Sequence, residues 1–291
     1  MAGAATPTRR QMMAGLGAVG LIRPRAALAG PVGRAFRLGL TPVFLDHDWH
    51  LLDLIRAHVS EATGRPVEFV KRRTYKEITA LLVIGEIDAA WLCGYPLLQH
   101  RDRLSALAVP LWRGAPRYQS YLIAAADRPA TRLEDLRGDI HAFSDPDSNS
   151  GYLVTVSDLI GMGERPEAFF ARSFFTFGHR NVVEAVARRL AASGSVDGYV
   201  WEALAVSDTD LVAATRVVRR SDWFGFPPFV IRSESAADAV LRDFAKALFS
   251  MPQSAKGREA LALLQLDGFI PPPPGAFDAI AARMDLLAGR G

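Results

Sequence analysis

The feature that most constrains the fold is an alternation that begins at Phe36. "FRLGL" (36–40) reads as a strand, and "DWHLLDLIRAHVSEATG" (48–64) has apolar residues at helical spacing with a closing Gly64. "VEFV" (67–70) is strand-like, and "TYKEITALLVIG" (74–85) opens with the capping-box pair Thr74 and Glu77. "DAAWLC" (88–93) is again an apolar strand. A β-α-β-α-β run of this kind calls for a parallel sheet with helices on its faces. The alternation continues with strands expected at 118–126, 140–144, 173–177, 197–201 and 228–232. A short helical turn is expected at 132–138. Helices are expected from 150 to about Met162, over 180–193, and over 235–249, 254–263 and 276–288, with "PPPP" (271–274) an extended connector.

The 291 residues, 49% of them hydrophobic, suffice for two lobes or one large domain. Charged residues at 22% and aromatics at 9% exclude a disordered chain. The start of the chain reads as an export signal. Arg9 and Arg10 precede an apolar run from about Met12 to Ile22, followed by Arg23, Arg25 and Ala27-Leu28-Ala29. The run is too short to span a bilayer, and the arginine pair resembles a twin-arginine leader cleaved near Ala29. Residues 1–29 hold four Arg and no acid, which leaves 30 basic against 31 acidic residues in the rest. That near-neutral balance argues against nucleic acid as a partner. The basic pairs Arg72-Arg73, Arg188-Arg189 and Arg219-Arg220 are expected on the solvated surface. After the leader nothing is apolar enough over a sufficient length to cross a membrane, so a soluble mature chain is expected. Cys93 is the only cysteine, so no disulfide forms within the chain. There is no HxxxH, CxxC, GxGxxG or phosphate-loop pattern, and neither metal nor cofactor is expected.

One stretch is unusual. "SDPDSNSGYL" (144–153) places a Pro, two Asp, three Ser and an Asn ahead of a helix, where one cap would do. Lying between strand 140–144 and the following helix, Ser148, Asn149 and Ser150 could add hydroxyl and amide donors to the unpaired N–H groups of a helix start. Gly151 would let the backbone approach closely. The plain reading is a turn at Asp145-Pro146-Asp147 followed by a cap, and pattern alone leaves the two readings even. His179 alone would be a surface or core histidine, although it also sits just after a strand at a helix start. Tyr75 alone would be helix packing, and Cys93 a small buried hydrophobe.

In order and spacing, "YKEITALLVIGEIDAAWLCGYP", "RYQSYLIAAAD", "LEDLRGDIHAFSDPDSNSGYL", "FFARSFFTFGHRNVVEAVA" and "VDGYVW" resemble the substrate-binding proteins of the phosphonate/phosphite ABC-transport family. The similarity runs from about Arg37 to Ile270. It implies an α/β, two-lobed type II periplasmic binding protein with two mixed sheets joined by a two-segment hinge. Lobe 1 is expected at 34–124 plus 226–291 and lobe 2 at 125–225, with crossings near Asp127 and Phe226. Tyr75 and Tyr118 match ligand-contacting tyrosines of the family, and Ser148, Asn149 and Ser150 match its Ser-Thr-Ser run. His179 matches a histidine that contacts the anion, and beside an anion its pKa would rise. Cys93 and Gly94 occupy the loop after a strand. Trp201 is assigned to the pocket across a segment longer than the family's. The family's acidic partners for a ligand amine have no secure match.

The implied function is capture of a small phosphonate-, phosphite- or phosphate-like anion for an ABC permease, by a monomer. Three alternatives stay open. The resemblance extends to periplasmic sensors of arsenic oxyanions, in which Cys93 would be a soft ligand and a membrane sensor kinase the partner. An enzyme would pair Cys93 with His179 as nucleophile and base, without an identifiable orienting carboxylate. A module that keeps only the fold would bind no anion.

Overall fold

The computed structural model describes residues 1–3, 33–41 and 49–289. The expected export signal, beyond its first three residues, lies outside them. Among the described residues, eleven strands follow in chain order: β1 (Phe36–Leu40), β2 (Val67–Lys71), β3 (Ala89–Trp91), β4 (Leu104–Leu111), β5 (Arg117–Ala125), β6 (Ile140–Phe143), β7 (Arg172–Phe175), β8 (Ser193–Asp197), β9 (Thr215–Gly225), β10 (Phe229–Arg232) and β11 (Gly268–Ile270).

They form two mixed sheets. One has the order β11-β4-β10-β3-β1-β2, with β1 parallel to β2 and β3 and with β10 and β11 antiparallel to β4. The other has the order β7-β6-β8-β5-β9, with β6 parallel to β7 and β8 and with β5 antiparallel to β8 and β9. The strands that arrive from the other sheet, β5 and β10, pair antiparallel with both of their neighbours. The parallel strands β1 and β3 are buried on both faces, as the covering helices require.

The chain leaves the first sheet after Leu111, enters the second at Arg117, and returns between Gly225 and Phe229. The two passages are tied to each other, since the Phe226 N–H donates to the Pro116 carbonyl at 3.0 Å. Arg113 and Gly114 absorb the first reversal at positive φ. This differs from the boundary expected between 124 and 125. The apolar strand at 117–125 pairs along its length with β8 and β9, so Tyr118 belongs to the second lobe. Asp127 is not a crossing, because the neighbouring Ala126 N–H bonds Ala214 within the second lobe. The last helix, Asp278–Ala288, also departs from the expected division. Arg283 on it pairs with Asp158 and donates to Ser157 Oγ at 3.1 Å, both on the helix Val154–Gly161 of the second lobe.

The strand expected at "DGYVW" lies one step earlier, at "SGSVD" (193–197). All five of its residues are buried in mid-sheet, and they are small because the helix His179–Ala187 packs over them. Asp197 then caps the helix Gly198–Ser207, its carboxylate accepting from the N–H groups of Tyr199 at 2.8 Å and Val200 at 3.3 Å. Of the basic pairs expected on the surface, Arg219 is drawn inward to Asp158.

His141, on β6, is fully buried between Ser193 Oγ and Ser195 Oγ at 2.8 Å each, with its ring stacked on Phe170. Burial holds it neutral, with its pKa lowered to about 3. An unfolded histidine protonates near 6.5, so the unfolded chain binds more protons between those values. The contribution of His141 to stability is complete above about pH 6.5 and is lost as the pH falls toward 3. His141→Gln, which can bond both serines without titrating, is expected to lose less melting temperature than wild type between neutral pH and about pH 4.5. Thermal denaturation across that range measures the difference.

Candidate functional site

The site is built where strands of both sheets end and helices begin, the usual place for a ligand on α/β sheets. In the first lobe, Thr74 caps the helix Tyr75–Val83. Its Oγ1 accepts from Glu77 N–H at 3.2 Å, and Glu77 accepts from Thr74 N–H at 3.0 Å. The capping box holds Tyr75 at the first helical position, fully buried. Cys93 stands at the cap of the helix Gly94–Gln99. Gly94 allows Ile280 and Phe277 of the C-terminal segment to close in, since a Cβ there would lie 2.6 Å and 3.0 Å from them.

In the second lobe, the stretch 144–153 makes the turn and the cap of the plain reading. Asp145 makes the turn, accepting from Asp147 N–H at 2.8 Å through Oδ1 and from Ser148 N–H at 3.0 Å through its carbonyl. Ser148 is the cap, its Oγ accepting from Gly151 N–H at 3.0 Å. The first turn, Asn149–Leu153, is widened, with Leu153 N–H reaching back five residues to the Ser148 carbonyl at 3.0 Å. Turn and cap leave Ser144 and Asn149 for other work. Asn149 Nδ2 donates to the Tyr118 hydroxyl at 3.0 Å, and its backbone N–H donates to Cys93 Sγ at 3.3 Å. Ser150 is held from behind, its carbonyl accepting from Ser120 Oγ at 2.6 Å, and its side chain bears on the Tyr118 phenol.

The two lobes meet at these residues. Besides the Asn149–Cys93 contact, Tyr75 N–H donates to Asp145 Oδ2 at 3.2 Å, and Arg73 lies over the Phe177 ring at 4.5 Å. Tyr75, Cys93, Tyr118, Ser148, Asn149 and Ser150 thus lie together where the two lobes touch, with Gly94 next to Cys93. His179 borders Gly151, where a Cβ would stand 3.1 Å from its Cε1. Trp201 is not brought in. Its indole N–H donates to Thr215 Oγ1 at 3.1 Å, and its ring packs on Tyr121.

Four side-chain atoms here are buried without a partner among the described residues: Tyr75 Oη, Ser144 Oγ, Asn149 Oδ1 and Asp197 Oδ2. Asp197 ends β8, and its charge is felt by Tyr75 and Cys93 in the first lobe and Tyr118 in the second. It was not among the expected site residues. Its place as a helix cap was readable in "DGYV", but the expected strand there hid it. Burial raises its carboxyl pKa to about 7 despite its two backbone N–H bonds. Burial likewise pushes both tyrosines well above their ordinary value and the Cys93 thiol up to about 11.

His179 reverses the expected direction. It is fully buried, and its Nδ1 accepts from Asp197 N–H at 3.0 Å, so the proton of the neutral ring sits on Nε2. Desolvation lowers its pKa to about 3. Cys93 and His179 each bond a backbone N–H rather than each other, so the nucleophile–base pair of the enzyme alternative is not formed.

A family model matches most of the chain. Residues 39–274 fit the family described as ABC transporter, phosphonate, periplasmic substrate-binding protein. This chain belongs to that family. The phosphate-import protein PhnD of Mycolicibacterium smegmatis is 24% identical over 214 residues, which span 69% of this chain and 66% of that protein. The binding-protein component of a phosphonate ABC transporter from Pseudomonas aeruginosa superposes with a TM-score of 0.79 at 20% identity, over 88% of this chain and 89% of the other. PhnD1 from Prochlorococcus marinus, solved in complex with methylphosphonate, superposes with a TM-score of 0.75 at 14% identity, over 87% and 98% of the two chains. The fold is therefore the two-lobed α/β fold of type II periplasmic binding proteins. Members of this phosphonate-binding family serve transport rather than catalysis and work in the periplasm. Among the described residues, no helix is long and apolar enough to cross a membrane.

Gly151 shows how tightly the cradle is built. A Cβ there would lie 1.8 Å from Ser144 Oγ and 2.6 Å from Ser144 Cβ. Gly151→Ala is expected to displace Ser144 and lower stability by about 1–3 kcal/mol, as overpacking does. Denaturant titration of the variant checks it.

Proposed function

We propose that this chain captures a small phosphorus oxyanion of the phosphonate class between its lobes and delivers it to an ABC permease. The supporting observation is the set of unpartnered buried polar atoms contributed by both lobes: Tyr75 from the first, and Ser144, Asn149 and Asp197 from the second. Buried polar groups are nearly always paired, so a concentration of exceptions is a place for a ligand's own polar atoms. Because burial keeps the tyrosine hydroxyls protonated, they are donors to an oxyanion. The first-turn N–H groups of the helices beginning at Tyr75 and Asn149 add further donors. The methylphosphonate held by the Prochlorococcus protein is a ligand of the size and charge this reading requires. The leader with Arg9 and Arg10 would send the chain across the inner membrane by the twin-arginine route, where it would act as a monomer.

Titration calorimetry and thermal denaturation with methylphosphonate, phosphite, phosphate, sulfate, arsenate and arsenite test the reading. At least one phosphorus oxyanion is expected to raise the melting temperature, with about 2.7 kcal/mol of added stability at a hundredfold excess over Kd. Tyr75→Phe and Asn149→Ala are each expected to weaken that binding tenfold or more. Silence with every phosphorus oxyanion would end the proposal.

A second reading has one observation in its favour, the Cys93 thiol inside the cradle against Asn149 and Tyr118. A neutral arsenite molecule could form an S–As bond there, the thiol proton and one arsenic-bound hydroxide leaving as water. The partner would then be a membrane sensor kinase. Cys93→Ala is expected to abolish an arsenite response, and an arsenite response that survives the substitution would remove this reading.

A further inference from the structure

One contact across the seam between the lobes has no part in the site. Arg73 comes from the segment just ahead of the first-lobe helix Tyr75–Val83, and Phe177 from the segment just ahead of the second-lobe helix His179–Ala187. The Arg73 guanidinium lies over the Phe177 ring, 4.5 Å from its centroid, well inside the range at which a cation is drawn to an aromatic face. Arg73 is exposed and, among the described residues, has no carboxylate for a partner. Phe177 is half-buried, with its ring 6.3 Å from that of Phe175 in its own lobe.

The backbone at Phe177 is strained. Its φ of 55° lies in the left-handed region that a bulky side chain disfavours, while Gly178, one residue on, is extended at φ 176°. Hydrogen bonds on both sides hold the strained residue in place. Thr176 N–H donates to the Phe143 carbonyl at 2.9 Å, Thr176 Oγ1 donates to the Gly178 carbonyl at 2.9 Å, and Asn181 Nδ2 donates to the Thr176 carbonyl at 3.0 Å. Strain fixed from both sides is characteristic of a residue with a task, and the group that this ring meets in the other lobe is Arg73.

We infer that Arg73 and Phe177 form a clasp that keeps the two lobes shut for longer. Arg73 stands two positions before Tyr75, and Phe177 two before His179, so the clasp ties together the segments that lead into two of the expected site residues. The bonds from Tyr75 N–H to Asp145 and from Asn149 N–H to Cys93 use buried donors that an oxyanion could claim. A guanidinium over a phenyl ring uses no such donor, so the clasp acts whether or not a ligand is bound. It needs only the two-lobed fold, whatever that ligand is. A cation over a ring at an exposed site shifts an equilibrium about two- to fivefold.

Cys93 supplies the gauge for a test. It is the only cysteine, it is 2% exposed, and its sulfur accepts the Asn149 N–H across the seam. The rate at which a maleimide labels it in ligand-free protein therefore reports how often the lobes part. Arg73→Met and Phe177→Leu keep apolar bulk while removing the charge or the aromatic face. Each is expected to raise the labelling rate about two- to fivefold. The double variant should label no faster than the faster single variant, because both substitutions break the same contact. Unchanged labelling in both single variants, or increases that multiply in the double variant, overturns the inference. So does an increase no larger than the rise in global unfolding, measured by denaturant titration of the same variants. Arg73 is exposed, so if Phe177→Leu fails to fold, an unchanged rate in Arg73→Met is enough to overturn it. Protection of Cys93 by methylphosphonate, read in the same assay, tests the oxyanion reading separately, and its absence counts against that reading while the ligand-free rates still judge the clasp.

Discussion

The closed arrangement depends on two backbone N–H groups, each at the first turn of a helix in one lobe and each satisfied by a side chain from the other. Tyr75 N–H reaches Asp145 Oδ2, and Asn149 N–H reaches Cys93 Sγ. Helix starts leave such donors without intrahelical partners, and burying them unpaired is unfavourable. Each lobe therefore supplies what the other's helix end lacks. Thiol sulfur is a weak acceptor, so the Asn149 N–H is the donor an incoming oxyanion oxygen could most readily claim.

The electrostatic character of the cleft comes from this construction. It is not a basic pocket. His179, the one imidazole brought into it among the described residues, is held neutral by burial and accepts through Nδ1. Positive potential comes from helix ends, each worth roughly half a charge, and from hydroxyl dipoles. Such donors are fixed in direction and need no counter-ion. They do not neutralise a full negative charge as an arginine would, so a second unit of ligand charge has little to meet it. The two acids, Asp145 and Asp197, reinforce that limit. One is drawn on by Tyr75 N–H, while the other keeps an oxygen in reserve.

Opening such a cleft has to work around the C-terminal helix, which touches both lobes. Its Ile280 and the preceding Phe277 lie against Gly94 next to Cys93, while Arg283 pairs with Asp158, which Arg219 also engages. The two attachments differ in kind. Asp158 keeps Arg219 as a second partner for its carboxylate, while the Gly94 contact helps to seal Ile280, which is fully buried. The helix is thus held to the second lobe as well as the first, although its sequence follows strands of the first. The hinge is correspondingly short, confined to the two passages that Phe226 and Pro116 tie together.

Much of this was legible in the sequence where local chemistry and fold agree. The alternation from Phe36, the Thr74–Glu77 box and the crowded stretch from Ser144 to Leu153 each carry their own signal, and the structure uses each where its residues indicate. The failures share a cause, that burial rather than pattern decides. His179 sits at a helix start as expected, but no sequence pattern reports that its ring is sealed from water, and sealing reverses the direction of its pKa. The strand at 117–125 is apolar enough for either lobe, and only its pairing with β8 and β9 assigns it to the second. Trp201 looks like a pocket aromatic, yet its indole has Thr215 for a partner. Asp197 is the instructive case. "SGSVD" has no bulky apolar residue to mark it as a strand, because a central strand crossed by a helix at close range has no room for one. With the strand displaced to "DGYVW", nothing in the pattern sets the aspartate apart from a surface turn residue. In the fold it is the last residue of a buried strand, where one carboxylate oxygen caps a helix and the other is buried without a partner among the described residues.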